Sequence, residues 1–528
     1  MKLLTLAPIF QSNMVLQRGK PITIWGNAPV GTVITLTLSG TTKPEAPVST
    51  NQTIAETNTA TASTDGTWKC VLPAMDAGEN FTLKVTCKDS SSGLMEQDET
   101  IILRNISIGD IWLACGQSNM EFFLRYDADW ESVQKYEKNP KIHMYNVPQL
   151  AFPGHQKNTT GYGYWFTEGE TGFETFSAPG YSFARNIQPE IGVPIGIIGC
   201  NWGGTTASTW LDESYLQQEP LSVYLKEYEN AISAYTPREL KEISLRAWKF
   251  EDSPQHAVDF MPLLYGRNRE WQENYMKEHE KDPVIPMGPW NINRPGGLYH
   301  QMLEPLIPFA FKGVLWYQGE SDAIHAEMYD KLLTSLISCW RKKWNDNFPF
   351  LFVQLAPFGV WLACDSTGYT QVREKQELVS KTVPNTGMIS IMDIGSYYDI
   401  HPKQKLEVGR RLALLARGKV YGESILCESP ELICAVRDAH AHNKITLSFT
   451  NCGTLTCDDN KITGFVLIQQ EKEIPIDSVS IEDTQIILQA EALTDAPCTV
   501  SFAWADYVTV NVHNEAGLPV KPFRRGMV

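Results

Sequence analysis

The chain is 528 residues long, several times the ~150 residues of an average domain, so more than one domain is expected. Hydrophobic residues make up 43%, charged residues 20% and aromatics 11%, a globular balance that rules out disorder, collagen and coiled coil. Lys and Arg number 45 against 61 Asp and Glu, a net charge of −16. No domain-scale basic surface is available, and nucleic acid and anionic membrane are poor partners. No apolar run reaches the ~18 residues of a spanning helix. A large enzyme or a binding protein both fit this composition.

In chain order, MKLLTLAPIF reads as a first strand. Its apolar stretch is too short for a signal peptide, and no small-residue cleavage site follows. A cytoplasmic location follows from that reading, or a periplasmic or secreted one if a leader has been removed. Residues 1–105 carry ITIWGNA, VITLTLSG, WKCVLPAM and FTLKVTC, short runs punctuated by Gly, Pro, Asn and Asp, which predict a β-sandwich-like domain. Residues 106–420 differ. ISIGDIWLAC, PIGIIGCNW, FKGVLWYQ, FPFLFVQLAPF and TGMISIMDIG read as buried strands. They alternate with the helical patterns SAPGYSFARNIQPEI, YDKLLTSLISCWRKKW and KLEVGRRLALLARG, an α/β pattern that predicts a parallel sheet covered on both faces. The stretch 212–290 breaks that rhythm and reads as a helical and loop insertion, beside the site or as a structural cap. Residues 421–528 return to β-rich runs (ITLSFTN, GFVLIQQ, QIILQAE, CTVSFAW). The 11 Cys contain no CxxC, so no zinc site is indicated; Cys115 and Cys200 read as packed thiols, and Cys452 and Cys457 are close enough in sequence to pair in an oxidising compartment.

Ligands of open α/β sheets bind at the carboxyl ends of the strands, so the residues after each buried run carry the chemistry. After IWLAC comes GQSNME, a Gly-x-Ser turn that lets Ser118 Oγ protrude at a helix start, although a plain helix cap has the same look. The elbow G-x-S-x-G is absent, which counts against an ordinary α/β-hydrolase. After PIGIIGC, Gly203 and Gly204 can offer a bare backbone N–H to an oxyanion or simply make a tight turn. After GVLWY, Gln318 offers an amide donor, while Glu320 and Asp322 form a possible carboxylate pair. After MISIMDIG, His401 lies on a loop, with Pro402 at an expected first helical position and Asp399 or Ile400 near the cap. Each alone is a weak signal. In order, the four strand ends supply a nucleophile, two oxyanion donors and a base, the parts needed for acyl transfer.

These stretches resemble the SGNH hydrolase superfamily and, within it, the sialate O-acetylesterase family of carbohydrate esterases. The resemblance rests on MVLQR, WLACGQSNME, GCNWGGT, GVLWYQGESD, VQLAPF, DIGSYYDIHPKQKLEVGRRLA and GLPVKPFR, and so runs along nearly the whole chain. It implies an SGNH-type three-layer α/β/α catalytic domain and a small β domain before it. It also implies Ser118 as nucleophile, His401 as base, and an oxyanion hole of the Ser118 and Gly204 N–H groups with the Gln318 amide. Gln318 stands where the superfamily usually has Asn. The superfamily's D-x-x-H would put Asp at 398, where this chain has Tyr398; Asp399 leads as orienter, with Asp393, Glu320 or a backbone carbonyl as alternatives, or a Ser–His dyad.

The implied reaction needs no metal or cofactor and takes an acetylated carbohydrate, sialic acid first, xylan or another polysaccharide second. Gln117, Trp202, Glu320 and Arg294 are candidate substrate contacts. Trp202, Trp210 and Trp316 flank the motifs and could stack on a sugar ring, core packing being the better reading for Trp316; Arg104, Arg125 and Arg373 are, with Arg294, candidate partners of a sialic acid carboxylate. Two rivals stand beside this reading. One is a glycoside hydrolase using Glu320 with Asp322, Asp393 or Asp399; the other is a non-catalytic carbohydrate-binding protein built from the β-rich ends. Oligomeric state is not legible.

Overall fold

The computed structural model describes residues 4–42, 52–88, 99–155, 160–253, 266–438, 441, 443–459 and 461–527; part of the predicted insertion, 254–265, lies outside the described residues. Thr5–Leu6, Ile22–Asn27 and Thr67–Leu72 form one antiparallel sheet. Val33–Thr42, Gln52–Thr61 and Gly78–Lys88 join the first half of Glu99–Gly116 in a second. Alternate residues of Thr67–Leu72 are buried, the period-2 pattern of a half-buried strand. Ile22, Ile24 and Trp68 of one sheet share a core with Ile34, Leu36 and Leu83 of the other.

Strand Glu99–Gly116 (β1) is 18 residues long and runs on from that sheet into a seven-stranded path. In chain order the path contains β1, Ile142–Asn146 (β2), Trp165–Thr167 (β3), Ile195–Asn201 (β4), Gly313–Tyr317 (β5), Phe350–Val353 (β6) and Thr386–Ile389 (β7). Its spatial order is β3-β2-β4-β1-β5-β6-β7, parallel throughout except for the β3–β2 edge pair. Strands β4, β5 and β6 are buried along their whole length and β1 along its second half, which is why they read there as continuous apolar runs without alternation.

A short helix, Ser118–Glu121 (α1), follows β1. Longer helices are Ala178–Ile191 (α2), Tyr329–Trp344 (α3), Tyr369–Thr382 (α4) and Lys405–Lys419 (α5). Ser177 caps α2 by accepting from Gly180 N, and Gly192 closes it at φ +68°. On one face of the sheet, Trp112 of β1 meets Phe183 of α2 edge-on, with ring centroids 4.8 Å apart. Gly387 of β7 leaves room for Leu415 of α5 on the same face. On the other, Trp340 of α3 packs edge-on against Trp316 of β5 at 5.7 Å and against Phe350 of β6 at 5.8 Å. The insertion contributes helices Ser222–Ser233, Pro237–Glu251 and Arg269–Glu278; Thr236 and Glu239 form a reciprocal capping box on the second.

The MVLQR stretch is a structural brace. Val15–Gln17 pairs in parallel with Ser107–Gly109 of β1. The Gln17 amide donates to Asp110 Oδ1, its carbonyl accepts from Ile111 N, and Arg18 forms an ion pair with the same Asp110. Toward the C-terminus, Ile445, Leu447, Ile486, Leu488, Val500 and Phe502 form a second core from two four-stranded antiparallel sheets, joined by Met392 from the loop after β7. All the cysteines, Cys452 and Cys457 included, are free thiols; Cys115 and Cys200 are register partners in the buried sheet. Among the described residues no helix is long and apolar enough to cross a membrane.

Candidate active site

The carboxyl ends of β1, β4 and β5 and the loop after β7 meet at one point. β1 ends at Gly116 with φ +148°, and a Cβ built there would lie 2.1 Å from Tyr317 O of β5. Only glycine fits between the two strand ends. Gln117 N then donates to Tyr317 O (3.2 Å), and α1 begins at Ser118. On the neighbouring strand end, the Gly203–Gly204 turn lies against the serine: a Cβ on Gly203 would be 3.2 Å from Ser118 Cβ, and Gly203 N donates to Glu121 Oε2 (2.7 Å). Gly204 has φ +72°, and its N–H has no acceptor among the described residues. The Ser118 N–H opens α1, where a helix supplies no acceptor of its own.

His401 Nε2 lies 2.9 Å from Ser118 Oγ, a hydrogen bond closed between residues 283 positions apart. Both groups are nearly enclosed, Ser118 at 8% and His401 at 2% exposure. Burial, and after it the charges of Lys405 and Lys403, hold the imidazole pKa well below the ordinary histidine value, so His401 is a neutral ring at pH 7. Trp361 meets it edge-on at 5.1 Å. Asn119, one residue past the serine, donates through Nδ2 to Ile400 O (3.0 Å) and to Glu320 Oε1 (2.5 Å), tying α1 to the histidine loop and to the loop after β5.

Asp399 accepts a hydrogen bond from the His401 backbone N–H (2.8 Å). Its carboxylate is 3.8 Å from Nδ1, beyond hydrogen-bond length, and 3.3 Å from Lys403 Nζ. The expected helix start at Pro402 is corrected: α5 begins at Lys405. Asp127 Oδ2 accepts from Lys405 N (2.7 Å) and Leu406 N (3.0 Å), so the capping carboxylate comes from a distant loop. Among the described residues no group of three or more His, Cys, Asp and Glu side chains gathers as a metal site.

A family model for the carbohydrate esterases, sialic acid-specific acetylesterase, matches residues 108–243 and 286–416, half of the chain and every residue of this site. The chain belongs to this family. Sialate O-acetylesterases of Rattus norvegicus and Homo sapiens are 24% and 23% identical to it, each over 98% of this chain, covering 93% and 91% of their own lengths. A crystal structure of a carbohydrate acetylesterase from Xanthomonas citri superposes with a TM-score of 0.70 at 27% identity and 99% coverage of both chains. The molecule is therefore a carboxylic ester hydrolase with a mixed α/β fold like that acetylesterase.

In this esterase several residues expected at the substrate serve the framework. Gln318 is fully buried, and its amide donates to Thr205 O (3.1 Å) and Asp322 Oδ2 (2.6 Å) while its carbonyl accepts from Tyr329 OH (2.9 Å). Both amide hydrogens are engaged, leaving none for an oxyanion. Asp322, the proposed partner of Glu320 in glycoside cleavage, accepts from Ala207 N, Tyr224 OH and Gln318, and burial raises its pKa despite these donors. It has no free face for a water. Replacing Gln318 by Leu strips a donor from that buried carboxylate and should cost about 3 kcal/mol in urea unfolding. A loss below about 1 kcal/mol would show that the network is not coupled to folding.

Asp393, another candidate acid, is held by both terminal nitrogens of Arg411 (2.7 and 2.6 Å) and by His513 Nε2 (3.2 Å), and so ties the loop after β7 to the C-terminal sheets. Burial pushes its pKa up, but Arg411 and His513 outweigh that and bring it down to about 2 from 3.8. A carboxylate depressed in the folded state stabilises above its unfolded pKa and loses that contribution as pH falls through the folded one. The ion pair is therefore worth about 2 kcal/mol near neutrality. The stability gap between wild type and Asp393→Asn, read by urea melts, should shrink as pH drops from about 5 towards 2.

Gln117 is buried, and its carbonyl accepts from Gly319 N (3.4 Å) and Ser321 N (3.3 Å) instead of facing substrate. Trp210 is fully buried with Nε1 on Thr205 Oγ1, and Trp316 is core; neither can stack on a sugar. Trp202 is 8% exposed and packs edge-on against Trp248. Arg373 is buried and donates to the carbonyl oxygens of Ala356, Ala505 and Asp506, so it is no substrate partner. Arg104 is exposed on the N-terminal sheet, and Arg125 pairs with Glu174. Arg294 is half-buried one residue after Asn293, whose amide donates to Gly204 O (3.0 Å). The framework roles of Glu121, Asp127, Asn119 and Lys405 were not read from the sequence; Glu121 and Asn119 sit inside GQSNME, where the motif drew attention to the serine alone.

Proposed function

We propose that this esterase removes O-acetyl groups from a carbohydrate, sialic acid first, by a serine acyl-enzyme mechanism. The observation that carries the mechanism is the 2.9 Å contact between Ser118 Oγ and the buried, neutral His401 Nε2. The sialic acid assignment is supported by the family description and by the activity named for the mammalian relatives. In this reading residues 106–420 are an SGNH-type three-layer catalytic domain flanked by β domains at 1–105 and 421–528.

His401 Nε2 takes the Ser118 proton as Oγ attacks the acetyl carbonyl carbon. The oxyanion is received by the backbone N–H groups of Ser118 and Gly204, each worth about 3 kcal/mol. Collapse expels the sugar hydroxyl with the proton from His401. Water, deprotonated by His401, then attacks the acetyl-enzyme and releases acetate. Gln318 holds the loop behind this site, and Asp399 acts as a dyad's support: it fixes the His401 backbone and adds negative charge 3.8 Å from Nδ1 without a direct bond. Glu320 and Arg294 are left as substrate-side groups. Glu320 is a carboxyl whose pKa burial raises, and Trp202 keeps a small exposed face. Acetate release from O-acetylated sialic acids, acetylated xylo-oligosaccharides and p-nitrophenyl acetate tests the reading. The expected order puts sialic acids first; a preference for xylo-oligosaccharides would move the substrate to plant polysaccharide while keeping the chemistry.

A further inference from the structure

Lys405 is a cation in an unusual place. It is fully buried at the first position of α5, where the helix end disfavours positive charge, and its Nζ has no hydrogen-bond acceptor among the described residues. Two aromatic rings hold it instead, Phe122 at 5.1 Å and Tyr317 at 5.4 Å from Nζ. Both belong to the active-site framework. Phe122 N donates to Ser118 O at the end of α1, and Tyr317 O accepts the Gln117 N–H at the end of β5. His401 is four residues away in the loop that leads into α5 and feels the Lys405 charge directly.

We propose that Lys405 is a positioning residue for the acyl-transfer base: its ammonium, caged by Phe122 and Tyr317, keeps the His401 imidazole neutral in the acidic range. The proposal rests on the reading of His401 as base. The other charged groups facing the pair are Asp127 from the loop after α1, Glu320 from the loop after β5, and Asp399 and Lys403 from the histidine loop. The three carboxyl groups favour the ammonium and Lys403 opposes it, but burial dominates and pushes the Lys405 pKa down to about 7. The order of protonation follows. As pH falls, Lys405, brought down to about 7, takes up a proton before His401, which is held well below the ordinary histidine value, and its new charge then repels a second proton from the imidazole. The base stays available where an ordinary histidine would be lost.

The test is an NMR titration of histidine-labelled full-length protein, with the His401 resonance assigned by its absence in His401→Gln. The pH profile of kcat/KM on p-nitrophenyl acetate is measured in parallel. Lys405→Met keeps an apolar, flexible side chain between the rings and removes the charge. The His401 midpoint should rise by about one pH unit, and the acid limb of kcat/KM should move up with it. Lys405→Arg, which keeps the charge, should leave both where they are in wild type. A His401 midpoint unmoved in Lys405→Met overturns the proposal, as does an Arg variant that shifts as far as the Met variant; if Lys405→Met does not fold, Lys405→Arg decides alone, a His401 midpoint there raised from wild type overturning the proposal and an unmoved one supporting it. Lower activity at every pH with an unmoved midpoint would mark a merely structural lysine. The NMR midpoint does not depend on catalysis, so the proposal is judged separately from the role of His401: activity surviving in His401→Gln would sink that role and leave the titration result standing.

Discussion

Ser118→Ala should release acetate at a rate lower by about 10³- to 10⁶-fold, with the protein folded as before. The side chain is small and its hydroxyl makes one hydrogen bond among the described residues, to His401, so removing Oγ takes away the attacking atom with little loss of packing. The residual rate would come from the oxyanion donors, which are backbone groups and survive the substitution. The measurement is kcat/KM on an acetylated sialic acid beside a thermal melt. A Ser118→Ala enzyme with wild-type activity would falsify the acyl-enzyme mechanism, and Glu320→Gln would then be the variant to assay for glycoside cleavage.

His401→Gln should cost about as much as Ser118→Ala, and the double variant little more than either, because the two side chains act as one unit. The geometry sets Asp399 apart. Its carboxylate bonds the His401 backbone and stays 3.8 Å from Nδ1, so Asp399→Asn, which still accepts from that N–H, should lower kcat by about tenfold or less. An aspartate that bonds the ring and selects its tautomer costs about 10⁴ when changed to Asn. A loss of that size in Asp399→Asn would mean that the carboxylate turns onto Nδ1 during catalysis. Single-turnover rates for the three variants distinguish the cases.

The segments that meet at this point were legible because the serine, the glycine turn and the histidine each follow a buried apolar run, and runs of that kind can be read without coordinates. Gly116 shows the same logic at one residue: a glycine before the serine is required because β1 and β5 converge there. The misreadings share a cause. Gln318 looked like an oxyanion donor because its residue type can donate, yet its amide faces Thr205 and Asp322. Trp210 looked like a sugar platform because it follows a site motif, yet α3 and the Thr205 turn enclose it. Pro402 looked like a helix start because proline favours that position, yet Asp127, 278 residues before Lys405, decides where α5 begins.

The sequence by itself determined the alternation of buried strands and helices, the β-rich ends, and the residue types standing at four strand ends, since these follow from local periodicity and from which side chains can attack, donate or accept. Only the tertiary structure decided which donors meet which acceptors. Hydrogen-bonding capacity belongs to a residue, but its partner is set by packing between segments hundreds of positions apart. That packing joins Ser118 to His401, spends Gln318 and Asp322 on each other, holds Asp399 off the ring, and buries Lys405 between Phe122 and Tyr317.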